Sequence, residues 1–184
     1  YTFNGWEVRG AIMTDSKFTM PANDVTITAK WTANRYTITF DTDGGSAVAA
    51  ITQDYDTTVK APAAPTKMGY TFAGWEPALP AKMPLDGLNV KAKWTVNQYT
   101  ITFDTDGGSD VAAMTQDYGT AVTAPENPTK TGYTFAGWDK AIPATMPANH
   151  VEIKAKWTAN TYHITYNLDG GTMSSQPATH TYGT

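Results

Sequence analysis

The side chains able to do chemistry in this 184-residue chain are few, and they do not gather. There is no cysteine, which removes thiolate nucleophiles, thiolate metal sites and disulfides together. The three histidines, His150, His163 and His180, share no common spacing. Ser46 and Ser109 each follow a Gly-Gly pair, but no His or Lys accompanies them in a recurring motif, so a Ser-His-Asp arrangement has no basis. The run Asp41-Thr42-Asp43-Gly44-Gly45, repeated from Asp104 to Gly108, offers paired carboxylates to a cation. An EF-hand loop also needs a bidentate Glu at its twelfth place. Thr52 and Thr115 stand there instead, so the run reads first as a strand end and turn and only second as a weak calcium site. Lys91, Lys93 and Asn97 raise the idea of an isopeptide crosslink, but that chemistry also needs a buried acid beside the pair, and no Glu recurs in equivalent positions. No catalytic, cofactor-binding or metal-binding residue is assigned, and no cofactor is expected.

The sequence is organised for something else. The segment Tyr36 to Gly45 returns unchanged at Tyr99 to Gly108, and again in altered form at Tyr162 to Gly171, each time after 63 residues. Aligned without gaps, residues 36–98 and 99–161 agree at 43 of 63 positions. Residues 1–35 match the second half of this unit, with six extra residues between Trp6 and Met20, and residues 162–184 match its first third. The expected domains are therefore 1–35, the C-terminal half of a repeat; 36–98 and 99–161, complete repeats; and 162–184, the start of another. The chain opens on Tyr1 and reads as a piece of a longer protein.

Within the repeat the pattern is mostly strand. Tyr36, Ile38 and Phe40 alternate with Thr37, Thr39 and Asp41, the period of a half-buried strand. A second strand is expected over Ala50 to Tyr55, continuing at Thr58 to Ala61, and a third over Tyr70 to Trp75 with a bulge at Gly74. Val90, Ala92 and Trp94 alternate with Lys91 and Lys93 in the last strand. Pro62 and Pro65 make a rigid extended connection, and Pro77, Pro80 and Pro84 leave residues 76–89 room for a turn or two of helix at most. A unit this small needs large side chains to bury enough area. The expected core is Tyr36, Ile38, Phe40, Tyr70, Phe72, Trp75 and Trp94, with Tyr99, Ile101, Phe103, Tyr133, Phe135, Trp138 and Trp157 in the second copy. A sugar-stacking platform is the other reading of the same aromatics. The four-residue linker Thr95-Val96-Asn97-Gln98 implies closely joined beads.

The motifs F-D-x-D-G-G (Phe103 to Gly108), Y-G-T (Tyr118 to Thr120), G-Y-T-F-x-G-W (Gly132 to Trp138) and M-P-A-N-x-V-x-I-x-A-K-W (Met146 to Trp157) occur in fixed order. This series resembles the Listeria–Bacteroides repeat, the internalin-type B-repeat of bacterial surface proteins. In the first complete unit Met83-Pro84-Leu85-Asp86-Gly87 departs from the M-P-A-N form. The resemblance implies an α+β, strand-dominated fold of tandem β-grasp-like modules with a short helical or irregular crossover. It also implies an extracellular protein on a bacterial envelope. The strand pattern itself is equally compatible with a small antiparallel sandwich.

A net charge of −4, from 13 basic and 17 acidic residues, argues against nucleic acid as a partner. No apolar run approaches the roughly 18 to 20 residues that would insert in a membrane as a helix. The expected function is a non-catalytic spacer whose partners are neighbouring repeats. The alternative is an adhesin reading a host protein or glycan through the loops holding Phe18, Glu76 and Asp139. The matching half-repeats also raise the pairing of one copy's end with another's by strand addition.

Overall fold

The computed structural model of the protein describes residues 1–175 and 177–183 and consists of strands, with no helix among them. The strands are β1 (Thr2–Arg9), β2 (Thr26–Thr32), β3 (Arg35–Asp41), β4 (Ile51–Asp54), β5 (Tyr70–Glu76), β6 (Leu88–Val96), β7 (Gln98–Asp104), β8 (Met114–Asp117), β9 (Tyr133–Trp138), β10 (Val151–Ala159), β11 (Thr161–His163) and β12 (Thr179–Thr181). The chain divides into two compact units: Tyr1–Lys67 with Phe72–Thr95, and Met68–Thr71 with the residues from Val96 onward.

In the first unit β1 and β2 form an antiparallel pair, and β3 to β6 form a mixed sheet of order β4-β3-β6-β5. Its two middle strands run parallel, with Ile38 opposite Leu88 and Phe40 opposite Val90. The second unit repeats this as β8-β7-β10-β9, with Ile101 opposite Val151 and Phe103 opposite Ile153, and adds the pair β11-β12.

Two expectations about architecture are corrected here. The helical part of the α+β, β-grasp-like picture is absent from the described residues. The segment joining β4 to β5 carries Pro62 and Pro65, which cannot donate helical hydrogen bonds. Ser46 anchors it instead: its backbone N–H donates to Thr66 O at 2.8 Å, and its hydroxyl accepts from Thr66 N at 2.9 Å. The antiparallel sandwich is excluded by the parallel central pair. The second strand is also shorter than the alternation predicts. It ends at Asp54, and Thr58 makes only an isolated bridge to Lys82.

Side chains on one face of each sheet build the core. Ile38, Met83 and Val90 are fully buried in the first complete repeat, and Ile101, Met146 and Ile153 in the second. The aromatics expected at the core are part-buried: Tyr36, Phe40 and Trp75 pack against the first cluster, and Tyr99, Phe103 and Trp138 against the second, while Phe72 and Trp94 meet each other edge to face at 5.6 Å between centroids. Lys91 and Lys93, and Lys154 and Lys156, alternate with the buried residues and face solvent.

Candidate functional site

The acidic turn after the first strand of each repeat is used internally. Asp41 Oδ1 accepts the Asp43 N–H at 2.9 Å, and Asp104 Oδ1 accepts the Asp106 N–H at 2.9 Å, which folds the chain back on itself. The second glycine of each pair lets an indole lie on the turn. A Cβ at Gly45 would stand 2.6 Å from Trp94 Cζ2, and one at Gly108 2.6 Å from Trp157 Cζ2. Each indole N–H then donates to the turn, Trp94 to Thr42 O at 3.1 Å and Trp157 to Thr105 O at 3.0 Å. Lysines close it: Lys91 reaches Asp43 at 2.8 Å, and Lys154 reaches Asp104 at 3.1 Å.

These pairs are solvent-exposed, so they shape pH dependence more than stability. The ammonium of Lys91, with Lys67 behind it, holds the Asp43 carboxyl below its ordinary range. The Asp106 backbone N–H, with Lys154, does the same for Asp104. In return Asp43 raises Lys91, and Asp104 raises Lys154. A depressed carboxyl stabilises the fold above its unfolded value and loses that contribution as pH falls through its folded value. A raised lysine contributes below its unfolded value and loses it as pH rises through its folded value. Thermal melting is therefore expected to be flat at intermediate pH and to fall at both extremes, less steeply in high salt. A Lys91→Met, Lys154→Met double variant should show a lower plateau and a shallower acid-side fall.

A second recurring structure lies where one repeat hands over to the next. In the second unit Asn160 receives and gives along the backbone: its N–H donates to Gly132 O at 2.8 Å, and its C=O accepts the Tyr182 N–H at 2.8 Å. Its side-chain oxygen accepts the Thr134 hydroxyl at 2.6 Å. Tyr182 lies against Gly132, edge to face between Tyr133 at 5.4 Å and Tyr162 at 6.4 Å. Gly132 is buried with φ +78°, and a Cβ there would stand 2.3 Å from the Tyr182 ring. The same unit repeats the arrangement with Gly69, Thr71, Asn97 and Tyr118: the Asn97 N–H donates to Gly69 O at 2.9 Å, and its C=O accepts from Tyr118 N at 2.9 Å. In the first unit Asn34 accepts from Tyr55 N at 2.8 Å and from the Thr2 hydroxyl at 2.7 Å, with Tyr55 between Tyr1 and Tyr36. One asparagine thus ties the strand before it to the turn after it, and one tyrosine caps the contact.

The residues expected in ligand-contact loops are not brought together. The Glu76 carboxylate pairs with Lys93, and Asp139 Oδ1 accepts the Lys154 N–H at 2.7 Å, which holds the Asp139 carboxyl below its ordinary range. Phe18 is half-buried and lines a cavity of about 380 Å³ with Trp6, Val8, Met13, Ser16 and Ile27. The inward-facing alternation of Val90 is found as expected, whereas the sequence reading missed Met83 and Met146 as core and Asn97 and Asn160 as joint residues. Their recurrence at the same register was the available signal.

Comparison with known families bears on these recurrences. The model of the Listeria-Bacteroides repeat domain matches residues 36–78 and 99–158, and that of the divergent InlB B-repeat domain matches residues 1–35. The chain belongs to the Listeria–Bacteroides repeat family. Among relatives of this repeat chain, Internalin H of Listeria monocytogenes serovar 1/2a is 36% identical over 143 residues, covering 68% of this chain and 25% of that protein. A protein of Evansella cellulosilytica, named as a Gly-rich membrane protein, is 30% identical over 197 residues, covering 96% of this chain and 23% of its own length. A second protein of that organism, named as a membrane protein, is 30% identical over 168 residues and is covered to 25%. The Listeria–Bacteroides repeats described here thus span about a quarter of the length of these relatives.

Proposed function

We propose that this segment is a non-catalytic spacer in a bacterial cell-surface protein, holding other domains at a distance from the envelope. The observation that carries this reading is the joint of glycine, asparagine and tyrosine, which recurs at successive hand-overs with hydrogen bonds of nearly constant length. A short linker that is hydrogen-bonded on both sides and capped by a ring has little freedom to bend. The recurring side chains are spent on the core, the turn and the joint. Membership of a family of surface-protein repeats and a relative named as an internalin support the extracellular setting.

The test is a repeat exchange in the parent protein. Replacing residues 36–98 by a second copy of 99–161 should leave its surface activity unchanged, whereas deleting them should impair reach. Loss of binding on exchange, with the fold intact, would instead show that particular loops recognise a ligand.

A further inference from the structure

Each complete repeat begins and ends on adjacent strands. In the second unit the repeat opens with β7 and closes with β10, and the two run side by side and parallel, with Ile101 opposite Val151, Thr102 opposite Glu152, Phe103 opposite Ile153 and Asp104 opposite Lys154. The first unit has the same arrangement, with Ile38, Thr39, Phe40 and Asp41 of β3 opposite Leu88, Asn89, Val90 and Lys91 of β6. In both, the overlap is made by the later half of the first strand and the earlier half of the last. The chain therefore enters the overlap from one end and leaves it from the other. A pull along the chain, applied before Gln98 and after Ala159, draws β7 and β10 past each other along their common axis. β8 and β9 lie on the outer edges of the sheet and are not in that path.

We propose that this overlap is a load-bearing lap joint, so that each complete repeat resists tension along the chain far more strongly than it resists being peeled apart. In shear all four register pairs must give way together, whereas peeling from one end loads them one after another. Side chains cross the same seam. Lys154 reaches Asp104 directly opposite at 3.1 Å, and the Thr39 hydroxyl donates to Asn89. The indole N–H of Trp157 on β10 donates to Thr105 O, just past β7, at 3.0 Å, and that of Trp94 donates to Thr42 O, just past β3, at 3.1 Å. Beneath the seam Ile101 and Ile153 are fully buried, as are Ile38 and Val90. The backbone bonds beside them lie in a dry setting where water cannot replace them one at a time. Forced unfolding follows the rate of escape from the native state and not the free energy of unfolding. A small module of modest stability can therefore carry a large load. The inference deepens the spacer reading and rests on it for its use: a spacer anchored at one end and engaged at the other carries the tension between them.

The chain has no cysteine, so two introduced cysteines define the axis of a pull. In the whole chain, Gln98→Cys with Thr161→Cys loads the second overlap in shear. Gln98→Cys with Asn149→Cys holds both strands at their starting ends and peels them apart. All three residues are exposed. Single-molecule pulling at one speed should give a rupture force at least about twofold higher on the shear axis, since four pairs are loaded together and not singly. The chain released identifies the event: 63 residues lie between the shear handles, about 21–23 nm when extended. Arg35→Cys with Thr95→Cys, compared with Arg35→Cys and Leu85→Cys, makes the same comparison in the first unit and serves where a variant of the second melts early. Equal forces on the two axes, in variants that melt as the unmodified chain does, would overturn the proposal. Loss of binding on repeat exchange would strike the spacer reading alone, and the ratio of forces would stand.

Discussion

Ile101→Ala is expected to lower the stability of the repeat formed by β7 to β10 by about 3–4 kcal/mol, within the range for buried isoleucine truncations. Ile101 is fully buried against Met146 and Ile153, on the strand that pairs with both β8 and β10. Truncation there removes contacts to both neighbours at once. The consequence is severe because the unit is small. A 63-residue module holds roughly 3–9 kcal/mol in total at ordinary stability per residue, so this single change consumes a large share of it. Hydrogen exchange resolved by peptide should show protection lost over residues 99–158 and kept over β3 and β6, since repeats lose stability locally when one of them fails. A cost below about 0.5 kcal/mol, the level of an indifferent surface change, would mean that the core lies elsewhere.

Gly132→Val should be comparably damaging for a different reason. The backbone there has φ +78°, a region a β-branched residue does not adopt without strain of about 1–3 kcal/mol. The added side chain also enters the space of the Tyr182 ring, which adds about 1–3 kcal/mol of overpacking. Gly119 separates the two effects: it has the same φ of +78°, but a Cβ there meets nothing within 4 Å. Gly119→Val should therefore carry strain alone. The excess cost of Gly132→Val over Gly119→Val, measured by urea denaturation, reads the tyrosine cap of the joint. Equal costs would show that Tyr182 contributes nothing there.

The sheet order was only partly legible in the sequence. Alternation of Tyr36, Ile38 and Phe40 with threonines marks β3, because a strand with one buried face leaves that trace. It does not say which strand lies beside β3, and the parallel pairing with β6 depends on a contact about fifty residues away in sequence. Ring size marks which positions face the core but not which of them fill its centre. Tryptophan and tyrosine keep polar atoms that need partners, so they settle at the margin with an N–H on a turn, while Ile38, Met83 and Val90 fill the dry middle. Asn97 and Asn160 looked like linker residues because part of their work is done by backbone atoms, which leave little mark on residue type, and the side-chain oxygen takes its threonine hydroxyl from a strand well before it in sequence.

The proposed function requires that the joint make successive repeats behave as a stiff series. Small-angle scattering from tandem arrays of residues 99–161 tests it most directly, with two, three and four copies compared. The expected result is a maximum dimension that grows in proportion to copy number, with the Gly132→Val arrays falling below that line. Growth as roughly the square root of copy number, the behaviour of freely jointed segments, would contradict it.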